Sequence, residues 1–252
     1  MKGSQQRLSR SRKTNRHQVV FLLDVDNTLL DNDRVTDDLR RHLERTIGLA
    51  CQRQYWTIFE QLRAELGYAD YLGALQRYRI DHAHDHNLFS ISSYLMHYPF
   101  AKRLYPDALE VMERCRGWGT PVILSDGDVV FQPRKIEQSG LYEAVKKHVL
   151  IYVHKEYELD DVERRFPADH YVLVDDKLSI LTAVKQVWGP RVTTVFARQG
   201  HYAKDSRTLA MYPAADISLG RIGDLLGHEV DELVSAGKRG KGQVTTKKGR
   251  SK

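Results

Sequence analysis

Two aspartates two residues apart, Asp24 and Asp26, come directly after the apolar run 19–23. A continuous β-branched and apolar run bounded by charge predicts a strand that is buried on both faces, so both carboxylates stand where this strand ends. Open α/β sheets place their chemistry at that position. Two acids this close repel each other unless a cation lies between them or one of them holds a proton. The pair therefore indicates a metal site or an acid/base pair.

Polar groups also follow three further apolar segments: Ser125 follows 121–124, His154-Lys155 follows 149–153, and Asp175-Asp176 follows 171–174. If these strands lie parallel beside the first, their ends gather two acid pairs, a hydroxyl and an ammonium at one edge of the sheet. The intervening segments are long enough to hold the crossover helices that parallel strands need. The pattern therefore predicts an α/β fold with its chemistry at one sheet edge.

The ordered set Asp24-x-Asp26-x-Thr28, Ser125, Lys155 and Asp175-Asp176 resembles the haloacid dehalogenase-like (HAD) hydrolase superfamily over roughly residues 19–220. The resemblance implies a Rossmann-like, doubly wound parallel sheet with an α-helical cap inserted between the first and second motifs. Most members of this superfamily are magnesium-dependent phosphatases. Many relatives carry Gly-Asp where this chain has Asp175-Asp176, so the principal metal ligand of this pair stays open.

The resemblance also implies roles for the acids. Asp24 is the nucleophile that forms an aspartyl-phosphate, and Asp26 protonates the leaving oxygen and then takes a proton from the attacking water. The expected metal is Mg²⁺, because a hard cation suits carboxylates and phosphate oxygens. Its expected side-chain ligands are Asp24 and Asp175, with Asp176 binding either directly or through water, and the backbone carbonyl of Asp26 is a further expected ligand.

Ser125, Asp126, Gly127 and Lys155 are the residues expected to bind the phosphate. The hydroxyl of Ser125 donates to a phosphate oxygen, with help from the backbone amides of Asp126 or Gly127, where glycine permits close approach. The ammonium of Lys155 offsets charge on the nucleophile and on the transferring phosphoryl group. For Thr28 we favour a bond to backbone that holds the turn over a contact with substrate.

The domain organisation is predicted from where the strand pattern is lost. The core is expected over 19–34 and 100–236, and a helical cap over 35–99, with helices from Thr36 to Gly48 and near 51–66, 69–82 and 87–97. Six aromatic residues of the cap have the helical spacing of core packing: Tyr55, Trp56, Phe59, Tyr68, Tyr71 and Tyr78.

The cap also contains the cluster Asp81-His82-Ala83-His84-Asp85-His86. In a helix His82 and His86 share a face, so a second metal site is geometrically possible there. We favour a polar helix end, because no third ligand is placed by the sequence; a histidine that contacts substrate is the intermediate alternative. A late strand precedes three polar residues for which we favour a surface loop over a place in the pocket: Arg198, Gln199 and His201.

Composition restricts the class of protein. The two cysteines, Cys51 and Cys115, are far apart and lack a CxxC spacing, so neither a disulfide framework nor a thiolate metal site is indicated, and a reducing cytosol fits. No apolar run approaches the roughly 18 residues that cross a bilayer, and residues 1–18 lack the apolar segment of a secretory signal. We therefore expect a cytoplasmic protein without membrane contact.

The positive charge is concentrated at the two ends of the sequence. Residues 1–18 and 237–252 hold thirteen basic residues and no acid, so residues 19–236 hold 26 basic residues against 33 acids, a net charge of −7. Both ends have few large apolar side chains and are predicted to be disordered tails. For these tails we favour solvation over weak attachment to nucleic acid or another polyanion, because no aromatic residue is present for base stacking.

The leading hypothesis is a Mg²⁺-dependent phosphohydrolase acting on a phosphorylated small molecule. Within the same superfamily the alternatives are a phosphomutase and a dehalogenase. Asp26 argues against the dehalogenase, because that reaction has no leaving alkoxide to protonate, but it does not exclude a mutase. A nucleic-acid-associated binding protein that works through its basic tails is the alternative from another class, and Asp24 and Asp26 count against it. Substrate identity and oligomeric state stay open at this level.

Overall fold

Six parallel strands form one sheet within residues 18–239, the part of the chain that the computed structural model describes. The strands are β1 (Val19–Leu23), β2 (Thr120–Asp126), β3 (Val149–Tyr152), β4 (His170–Asp175), β5 (Val192–Ala197) and β6 (Ile217–Leu219). Their order in the sheet is β3-β2-β1-β4-β5-β6. This arrangement confirms the predicted Rossmann-like, doubly wound parallel sheet.

Strand β1 lies in the middle of the sheet because its side chains are apolar on both faces. Phe21 and Leu23 belong to one apolar cluster, whereas Val20 and Leu22 belong to a second cluster on the opposite face. The chain builds β2 and β3 on one side of β1 and the remaining strands on the other side. The strand order therefore reverses between β1 and β4, which is where open α/β sheets bind ligands.

Ten α-helices accompany the sheet in the described residues: α1 (Asn32–Leu66), α2 (Tyr71–Asp81), α3 (Leu88–Met96), α4 (Ala108–Trp118), α5 (Phe131–Gln138), α6 (Leu141–Ala144), α7 (Leu159–Arg165), α8 (Leu178–Trp188), α9 (Ser206–Met211) and α10 (Val230–Lys238). Helices α1 to α3 all fall between β1 and β2 in the chain, and we call them the cap. Within residues 18–239 no helix combines the length and the apolar character needed to cross a bilayer.

Helix α1 differs from the sequence prediction at both ends of its first half. It begins at Asn32 instead of Thr36, because the carboxylate of Asp31 accepts a hydrogen bond from the Arg34 N–H at 2.9 Å and caps the helix. The predicted stop at Gly48 is a kink, at which φ is 81° and ψ is 163°, and the helix then continues to Leu66. A backbone conformation of this kind is accessible almost only to glycine.

The aromatic residues of the cap divide between its interior and the cavity beneath it. Five of the six are buried as expected, and Tyr68 is half-buried. Tyr71 packs against Phe131 of α5 with ring centroids 5.2 Å apart, so this aromatic group also joins the cap to the core. Core packing therefore accounts for most of the aromatic pattern.

The histidine cluster does not form the helical face that a second metal site requires. Helix α2 ends at Asp81, so His82 and His86 do not lie one turn apart on a helix. The ring of His82 stacks on Tyr78 with centroids 4.2 Å apart, and its Nε2 lies 2.9 Å from Gln54 Oε1. The simpler interpretation of a polar segment after a helix fits these contacts.

The C-terminal region of the core contains two helical segments. A 3₁₀ helix over Ile222–Gly227 comes first, and α10 follows after an extended break at His228 and Glu229. Helix α10 also includes Gly237 and Lys238, which the sequence prediction placed in the tail. The tail predictions for residues 1–17 and 240–252 fall outside the described residues.

We expect Gly48→Ala to lower the free energy of unfolding by about 1–3 kcal/mol, because alanine is strained in the conformation of Gly48. An added Cβ would meet no atom within 4 Å there, so the backbone alone sets the effect. Gly117→Ala is the matched control: its Cβ also meets no atom, it lies inside α4, and it should stabilise by about 0.5–1 kcal/mol. Urea unfolding followed by circular dichroism measures both; equal effects would contradict the strain at Gly48.

Candidate active site

Three buried carboxylates meet where β1 and β4 end. Asp24, Asp175 and Asp176 each offer an oxygen within 4.8 Å of the others, and their exposed fractions are 6%, 0% and 1%. The register explains the meeting, because Leu23 of β1 aligns with Val174 of β4 and the next residue of each strand is an aspartate. Among residues 18–239 this is the cluster of acids, histidines and cysteines whose ligand atoms lie close enough to hold a metal ion.

Lys155 supplies the positive charge that this cluster needs. It lies after β3 and is 2% exposed, and its Nζ is 2.6 Å from Asp24 Oδ1 and 2.6 Å from Asp175 Oδ2. Its backbone N–H donates to Asp126 Oδ1 at 2.8 Å, which fixes the start of the turn. Burial by itself would lower the pKa of Lys155, but the carboxylates of Asp175, Asp24 and Asp126 outweigh burial and hold this pKa well above its ordinary value.

The ammonium of Lys155, the one in direct contact with the cluster, does not balance three carboxylates. Burial raises the pKa of Asp175 to about 6, against the lowering effect of Lys155. Burial also raises the pKa of Asp176 well above its ordinary value, and the charges of Asp175 and Asp24 add to this effect. Both carboxylate oxygens of Asp176 are buried without a hydrogen-bond partner in the described structure. An oxygen-lined site with excess negative charge and unpaired ligand atoms fits a hard divalent cation.

Asp26 occupies a different environment two residues beyond Asp24. Its carboxylate is partly exposed to a cavity and is held by two side chains of α5. Lys135 Nζ lies 2.7 Å from Asp26 Oδ1, and Gln132 Nε2 donates to Asp26 Oδ2 at 3.4 Å. Neither of these residues was predicted from the sequence. The sequence does contain a signal for them: a glutamine and a lysine stand three residues apart, on the face of a helix that packs against the core after the Ser125 strand.

Three of the residues expected to bind phosphate, Ser125, Asp126 and Gly127, lie at the end of β2, and the amide of Gly127 departs from its expected role. Ser125 is buried, and its Oγ accepts a hydrogen bond from Gln132 Nε2 at 2.9 Å and donates to Asp126 O at 3.3 Å. The N–H of Gly127 donates to Tyr152 O at 3.0 Å, so this amide is paired inside the sheet instead of facing a phosphate. A Cβ at Gly127 would lie 2.7 Å from Gln132 side-chain carbons, so glycine is needed here for packing against α5.

The turn after Asp26 is held by Asn27 and Gln199 instead of Thr28. The hydroxyl of Thr28 is buried and has no hydrogen-bond partner in the described structure, which is contrary to the expected bond to backbone. Asn27 Oδ1 accepts from the Asp33 N–H at 3.1 Å, and Gln199 Nε2 donates to Thr28 O at 3.0 Å. Gly200 approaches Asn27 so closely that a Cβ there would lie 2.5 Å from the Asn27 side chain.

The segment after β5 therefore contacts the site more closely than the predicted surface loop would. Gln199 is buried, whereas Arg198 and His201 are exposed. His201 Nδ1 lies 2.6 Å from Asp33 Oδ1 at the cavity rim. Burial acts to raise the pKa of Asp33, and the contact with His201 outweighs it and lowers this pKa.

A cavity of about 510 Å³ separates the cap from the sheet edge. Its lining includes Asp26, Lys135 and Lys177 from the core and Phe59 and Tyr71 from the cap. The volume is in the range that accepts a small molecule.

Two cations from opposite walls of this cavity meet at Tyr202. The Nζ of Lys177 lies 5.2 Å from the centroid of the Tyr202 ring, and Arg63 of α1 donates to the Tyr202 hydroxyl. Burial by itself would lower the pKa of Lys177, but the carboxylates of Asp176, Asp175 and Asp24 raise it. None of Arg63, Lys177 and Tyr202 was predicted from the sequence, because these residues are far apart in the chain and come together only in the folded structure.

Comparison with known proteins agrees with this geometry. The family model for haloacid dehalogenase-like hydrolases matches residues 19–187. A solved haloacid dehalogenase-like hydrolase from Burkholderia xenovorans LB400 is 56% identical to this chain, with a TM-score of 0.82 over 85% of this chain and 98% of that protein. A search among curated proteins finds no match.

Two further solved structures share the fold at low sequence identity. YfnB from Bacillus subtilis, a HAD-hydrolase bound to magnesium, is 15% identical with a TM-score of 0.57 over 84% of this chain and 98% of its own. An L-2-haloacid dehalogenase from Xanthobacter autotrophicus with chloropropionic acid covalently bound is 16% identical with a TM-score of 0.55 over 83% of this chain and 96% of its own. From the family match and the Burkholderia relative, this chain belongs to the haloacid dehalogenase-like hydrolase family.

Proposed function

We propose that this chain is a magnesium-dependent phosphomonoester hydrolase that works through an aspartyl-phosphate on Asp24. The observation that carries the proposal is the buried acid cluster of Asp24, Asp175 and Asp176, whose negative charge exceeds that of the ammonium in contact with it, Lys155. Such a cluster would repel a phosphate dianion unless a divalent cation joined it.

The three carboxylates, with the backbone carbonyl of Asp26, would hold Mg²⁺. The unpaired oxygens of Asp176 support its inclusion as a ligand. When bound, Mg²⁺ supplies charge neutralisation for the clustered carboxylates and the phosphate oxygens. The magnesium-bound state of YfnB is consistent with a magnesium site in this fold.

The side chains divide the reaction into two displacements. A carboxylate oxygen of Asp24 attacks phosphorus, and the bond from phosphorus to the leaving oxygen breaks while Asp26 donates its proton to that oxygen. Asp26 then takes a proton from a water that attacks phosphorus, which releases inorganic phosphate and restores Asp24. Lys155 stabilises the charge on Asp24 through its contact with Oδ1.

Phosphate binding is assigned to Ser125 and Lys155. The Ser125 hydroxyl stands at the end of β2 beside Asp24, where it can turn to donate to a phosphate oxygen. We leave the Gly127 amide out of this role because it is paired with Tyr152. The cap covers a cavity of about 510 Å³, so we propose a phosphorylated small molecule as substrate.

Asp26 is the feature that favours hydrolysis of a phosphomonoester over dehalogenation. A halide leaves without a proton, so a dehalogenase has no use for a second carboxylate that faces the cavity. The likeness to L-2-haloacid dehalogenases is at 16% identity and extends to the fold alone. A panel of phosphorylated metabolites with Mg²⁺ tests the assignment through phosphate release; halide release from 2-haloacids without phosphate release would overturn it.

Asp24→Asn should reduce phosphate release at least about 10³-fold, because an amide cannot act as the nucleophile. The fold should survive, since Lys155 keeps its 2.6 Å contact with Asp175. Steady-state turnover and circular dichroism measure the two outcomes. Asp161→Asn, which changes a carboxylate on α7 outside the site, is the control and should keep wild-type turnover. Near-normal activity of Asp24→Asn would refute the nucleophile assignment.

Asp26→Asn should slow both chemical steps by about 10²–10⁴-fold while Mg²⁺ still binds, because it removes the acid/base group and keeps the backbone carbonyl. Single-turnover kinetics separate the two steps, and calorimetric titration with Mg²⁺ measures metal binding. If metal affinity falls while both rates at saturating Mg²⁺ are unchanged, the acid/base role is wrong.

The stability of the metal-free protein should fall as pH rises from about 4 to above 6. The pKa of Asp175 is raised to about 6, so the folded state binds this proton more tightly than the unfolded state and loses the advantage as the acid ionises. Mg²⁺ binds the ionised form, so its stabilising effect should be larger at pH 7.5 than at pH 5. Thermal melting with Mg²⁺ or with EDTA at both pH values measures this; a Mg²⁺ effect independent of pH would contradict it.

A further inference from the structure

Lys135 is a buried lysine that none of the phosphatase steps above uses. Its exposed fraction is 1%, and its Nζ donates to Asp26 Oδ1 at 2.7 Å and to Asn32 Oδ1 at 3.0 Å. An ammonium is buried only at a large desolvation penalty unless charged and polar partners surround it. Its partners here are the proposed acid/base carboxylate and the first residue of the cap.

Helix α5 holds both oxygens of the Asp26 carboxylate at once. Lys135 contacts Oδ1, and Gln132 donates to Oδ2 at 3.4 Å while it also donates to Ser125 Oγ at 2.9 Å. Buried Phe131 and Ile136 fix α5 against the core, so the two donors come from a rigid element. A group supported in this way keeps one orientation toward its substrate.

The two acids of the opening motif therefore have separate ammonium partners. Lys155 contacts Asp24 and Asp175, and no ion pair joins it to Asp26 among the described residues. Asp26 is the more exposed acid, with 29% of its side chain open to solvent. Without Lys135 its strongest side-chain contact would be the long one to Gln132, and the carboxylate could turn into the cavity or toward the three-acid cluster.

We propose that Lys135 is a positioning residue for proton transfer, an inference that rests on the proposed phosphatase function. It holds Asp26 so that one carboxyl oxygen faces the leaving oxygen, and it stabilises the negative charge that appears on Asp26 as the proton departs. In this step the leaving oxygen keeps the electron pair of its bond to phosphorus and receives the proton of Asp26. Lys135 keeps its own protons throughout.

The test compares two substrates of similar size that differ in their need for a proton. p-Nitrophenyl phosphate releases a weakly basic phenolate, whereas benzyl phosphate releases a strongly basic alkoxide. Lys135→Met should lower kcat/KM, which reports only the first displacement, by about 10²-fold for benzyl phosphate and by less than about 5-fold for p-nitrophenyl phosphate. A merely structural lysine would lower both rates by the same factor, and that result would overturn the proposal.

Two further variants keep the result interpretable. Lys185→Met is the matched control, because Lys185 is a partly buried lysine paired with Asp216 at 2.8 Å outside the site, and its loss should leave the ratio of the two rates unchanged. Asn32→Ala removes the second partner of Lys135 and should shift the ratio in the same direction as Lys135→Met by a smaller factor. If Lys135→Met does not fold, Asn32→Ala provides the test. An unchanged ratio of the rates with the two substrates in that variant would overturn the proposal.

A double variant tests whether Lys135 acts through Asp26. In the Asp26→Asn background, Lys135→Met should change the rate ratio by less than about 2-fold, because the two residues act as one unit. An undiminished effect of Lys135→Met in that background would show an independent role and overturn the proposal.

The wild-type enzyme with Mg²⁺ serves as the separate test of function. If the wild type releases no phosphate from any substrate, the phosphatase proposal and the role of Lys135 fail together. If the wild type is active and Lys135→Met lowers both rates by the same factor, only the role of Lys135 is refuted.

Discussion

Charge balance at the middle of the sheet is the constraint on which the rest of this structure depends. Three carboxylates are buried within reach of one another, and the ammonium of Lys155 lies 2.6 Å from two of them. The ammonium makes the burial possible, because isolated buried charges are strongly disfavoured. It does not complete the balance, and the oxygens of Asp176 stay unpaired. The uncompensated negative charge of the three carboxylates destabilises the metal-free fold, and the same charge suits the site to a divalent cation.

Parallel pairing brings these groups together from distant parts of the chain. β1 lies between β2 and β4, so Asp24 has Ser125 on one side and Asp175 on the other. Lys155 follows the edge strand β3, and its side chain reaches past β2 to Asp24 and Asp175. Helix α5 contributes Gln132 and Lys135 from above the sheet edge and gives Asp26 partners of its own. The acid pair therefore has two separate lysine partners, Lys155 for Asp24 and Lys135 for Asp26.

The cap contacts the same network of side chains. Its aromatic residues are mainly interior, yet Phe59 and Tyr71 also line the cavity over Asp26. Asn32, the first residue of α1, accepts a hydrogen bond from Lys135 at 3.0 Å. Arg63 of the cap and Lys177 of the core meet at Tyr202. A change in the cap therefore reaches the groups that we assign to proton transfer.

The sequence by itself determined the sheet and the four strand ends, because apolar runs with polar ends are local patterns that burial enforces wherever such a strand lies. It also predicted that the pair Asp24 and Asp26 forms a metal site or an acid/base pair. Only the tertiary structure decided which cation pairs with Asp26, since Lys135 comes from a helix whose sequence has the pattern of ordinary packing. Three other features were also visible only in the tertiary structure. The Gly127 amide is paired with Tyr152, Gln199 is buried against the turn after β1, and α2 ends before the histidine cluster. Each of these outcomes depends on contacts between residues far apart in the chain, and no local pattern encodes such distances.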